Sequence, residues 1–338
     1  MNTDIKPLLA LAYQKIAQAK NILIVSHWHP DPDALSSIGV MIELAEANGQ
    51  KYFAYAPEKE ALAFSFLRHE EKVASQLPAD FSLSNYDLMI VLDCGSPKRT
   101  GLADKIKELE SSEKRKDLFI IELDHHPRTE TFADLEIRVP SVSSTCELLY
   151  YFLKENDLKI NKNLASLLLA GILTDTGNFL YPITSDSSIK ISSELLEKGA
   201  QLPKILQNTA RRQDLVSLKI WGLALKNLRI NQKYNLGVTV LSQKELAEII
   251  DPENTELVGH DVFGDVAGAL SNLGGVKGVL LLRDNPDGLK GNWRSSDKTV
   301  NMNHLAQVFG GGGHPQASGF LIPGNITLSS FGSYRATL

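Results

Sequence analysis

Apolar positions along this chain follow two rhythms. Short unbroken runs of Ile, Val and Leu occur in NILIVSHWHPDPD from Asn21, YDLMIVLDCG from Tyr86 and DLFIIELDHH from Asp117. Such runs suit strands covered on both faces of a sheet. Elsewhere the apolar spacing is helical, as in ALSSIGVMIELAEANG, where Gly49 is placed to end a helix. MNTDIKPLLALAYQKIAQAK reads as an amphipathic first helix. Strand alternating with helix predicts a parallel sheet with right-handed crossovers. From Ile189 to about Ile230 the pattern stays helical and more charged, which predicts helices connecting two domains. Strand-like pieces return in YNLGVTVLS, VKGVLLLRD and GNWRSS, followed by the glycine-rich FGGGGHPQASGF from Phe309. The expected class is α/β. A parallel-sheet domain over 1–190 leads through a helical connector, 191–232, to a smaller α/β domain over 233–338.

Composition narrows the function. At 338 residues the chain exceeds one average core, in keeping with two domains. A formal charge of -5 argues against non-specific binding of duplex DNA, which needs a broad basic surface, but leaves room for a locally basic groove. The two cysteines, Cys94 and Cys146, form neither a disulfide framework nor a CxxC zinc pattern and suit a reducing cytosol. The early acidic residue and the lack of a long apolar core argue against a signal peptide. No run of about eighteen apolar residues occurs, so no transmembrane helix and no membrane partner are expected. The expected location is the cytoplasm.

Candidate chemistry collects where the apolar runs end. In parallel sheets ligands gather beyond the carboxyl ends of the strands. Each of the three runs ends there in acidic residues, so the clusters should converge. His27, Asp31 and Asp33 stand at i, i+4 and i+6. Imidazole and carboxylate together are the donors that borderline ions such as Mn²⁺ accept. Taken alone, a turn with capping aspartates explains HWHPDPD equally well. VLDCG then adds Asp93, LDHH adds Asp124, His125 and His126, and TDTG adds Asp175 in what reads as a fourth loop. Capping accounts poorly for such accumulation. Uncompensated carboxylates in one cleft would raise each other's pKa values, and divalent cations would neutralise them. A metal site is the better reading, with Pro30 and Pro32 stiffening the ligand loop.

The four glycines Gly310 to Gly313 would be costly inside a regular element, and a bare run of this kind reads as a flexible loop. Yet His314 follows directly and ASGF looks like a strand re-entering a core. Glycines allow backbone N–H groups to approach an anion closely. Arg294 offers a fork for phosphate. The segment suits recognition of a terminal phosphate or nucleotide.

The ordered set of motifs resembles the DHH phosphoesterases, named for the residues found here at Asp124 to His126. FGGGGH, with RSS at Arg294 to Ser296, is similar to that family's associated C-terminal domain, so the likeness covers nearly the whole chain. Length and domain order look most like the small oligoribonucleases that also act on pAp (the nanoRNase branch). The resemblance implies two Mn²⁺ ions, with Mg²⁺ or Co²⁺ as alternatives, although histidine ligands disfavour Mg²⁺. One ion would be held by His27, Asp31 and Asp93. The other would be held by Asp33, His125 and Asp175, with Asp93 bridging. It implies His126 as a phosphate contact or proton carrier and Asp124 as the group orienting a histidine. Arg99, Arg294, Ser295, Gly311, Gly312, Gly313 and His314 would grip the substrate across a cleft between the domains. Two-metal hydrolysis needs no side-chain nucleophile, and no Ser- or Cys-centred motif offers one.

The implied reaction releases 5′-mononucleotides from short single-stranded RNA, or phosphate from pAp. A cyclic-dinucleotide or pApA phosphodiesterase, a RecJ-like exonuclease, an inorganic pyrophosphatase and a non-catalytic nucleotide-binding regulator are the rival readings. A homodimer is left open. His29 stands where the family usually has Asn, and Pro32 and Ser36 where its nanoRNase branch often has Gly. Ser144 or Thr145 is expected as an N-cap, with Cys146 in the core. Trp28 and Trp293 offer faces for a base, packing being the commoner role. Glu113 to Lys116, and Arg211 with Arg212, read as solvated surface.

Overall fold

The computed structural model describes residues 5–59, 64–110, 117–127, 130–209, 215–250, 262–328 and 334–337. The charged stretch 113–116 and the pair 211–212 lie outside them. The chain divides into two compact units, Met1–Arg211 and Arg212–Leu338.

The first unit contains α1 (Lys6–Gln18), β1 (Asn21–Val25), α2 (Pro32–Ala47), β2 (Lys51–Tyr55), β3 (Val73–Ala74) and β4 (Leu88–Leu92). It continues with α3 (Ala103–Glu110), β5 (Phe119–Asp124), β6 (Leu135–Arg138), α4 (Thr145–Glu155), α5 (Lys162–Asp175), α6 (Asp186–Glu197) and α7 (Leu202–Asn208). Its six strands are all parallel, in the order β3-β2-β1-β4-β5-β6. The three apolar runs are β1, β4 and β5, adjacent at the centre of the sheet. They are unbroken because both faces are covered. Ile22, Ile24, Ile90 and Ile121 join one core with α1, α2, α4 and α5. Leu23, Val25, Met89, Val91 and Ile120 join the other with Ile106 and Leu109 of α3.

From β1 the chain runs through α2 to β2 on one side, then returns to β4 on the other. Strand order therefore reverses at the β1/β4 pair, the switch point where open α/β sheets bind ligands. The first helix of the chain buries Leu9, Ala12 and Ile16, one face at helical spacing. Asp31 caps α2 by accepting from the Ala34 amide at 2.9 Å, and Pro32 takes the first helical position, where no N–H is missed. Gly49, at φ 68°, follows the end of α2 in the left-handed conformation.

The second unit contains α8 (Leu215–Asn227), β7 (Arg229–Asn231), β8 (Leu236–Leu241), α9 (Gln243–Ala247), α10 (Val262–Leu270) and β9 (Gly278–Asn285). After these come β10 (Gly288–Arg294), α11 (Met302–Val308), β11 (Gly312–His314), β12 (Ala317–Ile322) and a separate hairpin, β13 (Asn325–Leu328) with β14 (Tyr334–Thr337). The sheet order is β11-β12-β10-β9-β8-β7, with only the β8–β9 pairing parallel among its described strands. The helical stretch after Ile189 resolves into α6, α7 and α8, and β7 interrupts its end. All three β7 residues are exposed, so no burial pattern marks them as a strand.

The tetraglycine also differs from its expectation. Gly312 and Gly313 belong to the edge strand β11. A Cβ at Gly311 would stand 2.1 Å from the Gly319 carbonyl, and one at Gly313 2.5 Å from that of Ala317. Close approach of two backbones, rather than looseness, explains glycine there.

Candidate metal centre

The site is built from the ends of β1, β4 and β5 and from three helix termini. Ser26 ties the first two strands together through its hydroxyl, 2.8 Å from the Leu92 carbonyl. Beyond it, buried His27 has Nδ1 2.7 Å from the Trp28 carbonyl. That contact places the proton on Nδ1 and leaves Nε2 as the free donor atom, 3.7 Å from Asp93 Oδ2. Asp33 lies in the first turn of α2. Its carboxylate accepts from the Thr145 amide at 2.7 Å and the Cys146 amide at 3.0 Å, the first N–H groups of α4. Those N–H groups have no partner within the helix, and the dipole there favours an anion.

Asp93 follows β4 at φ 53°, a left-handed conformation that Asp tolerates better than most residues. It accepts the Thr145 hydroxyl at 2.9 Å and lies 3.4 Å from His125 Nε2 and 3.5 Å from His126 Nδ1. His125 Nε2 is also 3.1 Å from Asp175 Oδ2. Asp175 does not come from a loop, as its TDTG setting suggested. It is the last residue of α5, which runs on through Gly171, Ile172 and Leu173. Donor atoms of His27, Asp31 and Asp93 all lie within 4.8 Å of one another, and so do those of Asp33, His125 and Asp175. Each triplet is a group that could hold a metal ion once its side chains close in by a few tenths of an ångström.

Asp124 is buried at the end of β5 and organises what surrounds it. It accepts from the Gly95 amide at 2.6 Å, the His126 amide at 2.8 Å and His126 Nδ1 at 2.8 Å. Nε2 of His126 is thereby left for other partners.

The charges are strongly perturbed. Burial, then the Asp93 charge, pushes the Asp33 carboxyl up to about 7. Burial and the Asp33 charge push Asp175 well above the usual carboxylate range. Asp93 goes the opposite way to the mutual rise expected of clustered carboxylates. Burial opposes its ionisation, but the neighbouring imidazoles of His125, His27 and His126 outweigh that and hold it well below the usual range. Burial likewise opposes a charge on His125, and Asp93 and Asp175 more than offset it, so its pKa is raised. Burial raises Asp124, yet the bonds and charge of His126 bring it down to about 2. Four aspartates and two histidines around one point, two of the acids held up toward neutrality, form a donor set that fits divalent cations.

Other expected residues are placed differently. Arg99 is half-buried beside Gly95, with a nitrogen 3.3 Å from the Cys94 carbonyl. His29 turns outward to Glu58, 2.9 Å away, and both are mostly exposed. Trp28 is 45% exposed at the rim, whereas Trp293 is buried among Met302, Ala306 and Phe320 and presents no face to a base. In the second unit Arg294 ends β10 and His314 ends β11. Ser295 is buried, its hydroxyl 2.6 Å from the Lys277 carbonyl, so it braces the strand end. Ser144 caps α4. Cys146 is buried as expected, but lies against Asp33.

Two residues at the site went unread in the sequence. From sequence Thr145 reads only as a cap, and its hydroxyl instead holds Asp93. Gly171 reads as one more position of a helical run, yet a Cβ there would stand 2.2 Å from Asp33 Oδ1 and 2.4 Å from Cys146 Sγ. A glycine inside an apolar helix was the available signal, since Ala is favoured there by about 1 kcal/mol.

The parallel sheet carries a His/Asp cluster at its switch point, and a second small sheet follows in the chain; matches to known phosphoester hydrolases place the chain in that class. Residues 21–172 match the DHH family N-terminal domain and residues 255–331 match the DHHA1 domain. A Streptococcus mutans serotype c protein named "Probable bifunctional oligoribonuclease and PAP phosphatase NrnA" is 31% identical over 326 residues, covering 94% of this chain and 93% of the relative. The Bacillus subtilis protein named "Bifunctional oligoribonuclease and PAP phosphatase NrnA" is 26% identical over 301 residues, covering 88% of each. The chain belongs to the DHH family. Its fold is shared with a crystal structure of an exopolyphosphatase-related protein from Bacteroides fragilis, at a TM-score of 0.77 and 24% identity over 95% of this chain and 92% of that one. Among the described residues no helix is long and apolar enough to cross a membrane.

Proposed function

We propose that this protein hydrolyses short 5′-phosphorylated oligoribonucleotides to 5′-mononucleotides, and pAp to AMP and phosphate, with two Mn²⁺ ions held by the first unit. The observation that carries the reading is the pair of donor triplets, His27–Asp31–Asp93 and Asp33–His125–Asp175, each tight enough for one ion. Their mixed nitrogen and oxygen donors favour Mn²⁺ over Mg²⁺. When bound, such ions lower the pKa of water and neutralise charge on the phosphoryl oxygens. The protein's own residues supply the rest. Asp33 and Asp93 are preorganised by the α4 amides and the Thr145 hydroxyl, so little reorganisation is required of them. Asp124 fixes His126 through Nδ1, leaving Nε2 to exchange a proton with a phosphoryl or leaving oxygen. Water adds to phosphorus, the bond to the leaving sugar oxygen breaks, and that oxygen takes up a proton.

The names of the two relatives, each matched over most of its length, support this substrate class. In the second unit the Arg294 guanidinium and the backbone at Gly311 to Gly313, with His314, suit a terminal phosphate. Ser295 would act by holding Arg294 in place.

The test incubates the protein and its Asp93→Ala variant with Mn²⁺ and, separately, a 5′-phosphorylated RNA dinucleotide, pAp, a cyclic dinucleotide and pyrophosphate. Mononucleotides from the dinucleotide, or phosphate from pAp, absent with the variant, are the expected result. Turnover of only the cyclic dinucleotide or only pyrophosphate would replace the substrate assignment. No turnover despite bound metal would make the protein a regulator.

A further inference from the structure

We infer that Arg138 is a positioning residue that locks the two ligand-bearing turns after β4 and β5 in register. Its importance for activity rests on the metal reading above, whereas the clasp itself is a matter of geometry. Arg138 ends β6, the strand flanking the site, and nothing in its sequence setting, LEIRVP, marks it out. Its guanidinium makes four hydrogen bonds. Nε and one terminal nitrogen donate to the two oxygens of Glu122, at 2.7 and 2.6 Å. The other terminal nitrogen donates to the Gly95 carbonyl at 3.0 Å and the Pro127 carbonyl at 3.2 Å.

Those carbonyls belong to the two segments that matter. Gly95 follows Asp93 and Cys94; Pro127 follows His125 and His126. The Gly95 residue is gripped from both ends, its N–H by Asp124 and its C=O by Arg138. The turn needs such a grip, because Asp93, a residue with a side chain, is left-handed at φ 53°. A non-glycine residue keeps that conformation only where its surroundings over-determine it. Glu122 is fully buried and the Arg138 side chain is 6% exposed, so water does not compete for the fork. A planar guanidinium can serve one carboxylate and two carbonyls at fixed angles; an ammonium on a flexible stem cannot. Residues behind metal ligands typically change metal affinity 10- to 100-fold when replaced.

The test separates positioning from bulk stability. Removing Arg138 alone would strand the Glu122 charge, so the informative variant is Glu122→Leu/Arg138→Met, which removes both charges and often leaves stability unchanged. Arg138→Lys is the second variant, retaining a charge opposite Glu122 without the fork. Mn²⁺ affinity is measured by calorimetry without substrate, beside the thermal midpoint of the metal-free protein. We expect both variants to remain folded at the assay temperature, with a midpoint lowered by the lost carbonyl bonds, and to bind Mn²⁺ at least tenfold more weakly. Wild-type Mn²⁺ affinity in either folded variant would overturn the inference. Hydrogen exchange at residues 94–96 of the metal-free protein gives an independent decision: faster exchange in Arg138→Lys supports the clasp, and unchanged exchange overturns it. Should the wild type bind no Mn²⁺, the metal reading fails, and the exchange result still decides whether Arg138 holds the turn.

Discussion

Gly171→Ala offers a sharp test of how the site is packed. At an ordinary helix interior this change stabilises by about 1 kcal/mol, because Ala loses less backbone freedom on folding. Here the new methyl would meet Asp33 Oδ1 at 2.2 Å, Cys146 Sγ at 2.4 Å and Cys146 Cβ at 2.7 Å. Overpacking of a dense core costs about 1–3 kcal/mol, so the net expectation is a loss of up to about 2 kcal/mol. For a unit of this size that lowers the thermal midpoint by up to roughly 8 °C. The larger effect should fall on Asp33, which sits between that methyl and the α4 amides. Displacing its carboxylate should weaken Mn²⁺ binding by about tenfold or more, the usual cost of disturbing a ligand's support. Scanning calorimetry of metal-free protein and a Mn²⁺ titration read the two effects. Gly222→Ala in α8 is the control, because nothing lies within 4 Å of its added Cβ. It should leave metal binding unchanged and stability equal or slightly higher. If Gly171→Ala behaves like Gly222→Ala, the reasoning about Asp33 is wrong.

The raised carboxyl of Asp33 makes a pH prediction. A folded pKa of about 7, above the ordinary 3.8, contributes stability that is complete below the unfolded value and is lost as pH rises through about 7. Metal-free protein should therefore lose midpoint temperature from this group between about pH 4 and 7 and little beyond, while Mn²⁺ binding at pH 6 releases protons and tightens with pH. Titration heats independent of buffer ionisation enthalpy would contradict this. Asp124 has the opposite sign: at about 2 it contributes stability above 3.8 that disappears as pH falls toward 2. It is worth about 2 kcal/mol at neutral pH. Acid titrations of unfolding for the wild type and Asp124→Asn should thus approach each other from about pH 4 down to pH 2 and stand apart at pH 7; parallel curves would refute it. Thr145→Val keeps shape but removes the donor to buried Asp93, a loss of about 1.5–3 kcal/mol. The metal-free midpoint should fall by several degrees and be restored in Thr145→Ser; an unchanged midpoint in the valine variant would show that the bond carries no net stability.

The legible parts of the fold were those whose physics is written locally. Strands β1, β4 and β5 are covered on both faces, so their apolar runs are unbroken and the polar residues after them stand out. The two-residue β3 and the half-exposed β2 and β6 leave no comparable trace. Candidate ligands could be picked out because Asp and His cluster where apolar runs end. What orients them could not, since Asp33 meets Thr145 and Cys146 across more than a hundred residues of sequence. Arg138 and Gly171 were invisible for the same reason. Their meaning lies in distant partners, and each looks ordinary among its neighbours. HWHPDPD holds a helix cap, Asp31, and also His27, which the fold brings into a candidate donor group with Asp31 and Asp93.

The most direct test of the account is anomalous scattering from a crystal of this protein grown with Mn²⁺, recorded on both sides of the manganese absorption edge. Two peaks are expected, one ligated by His27, Asp31 and Asp93 and the other by Asp33, His125 and Asp175, with Asp93 between them. A single peak, or Mn²⁺ bound away from Asp93, would contradict it.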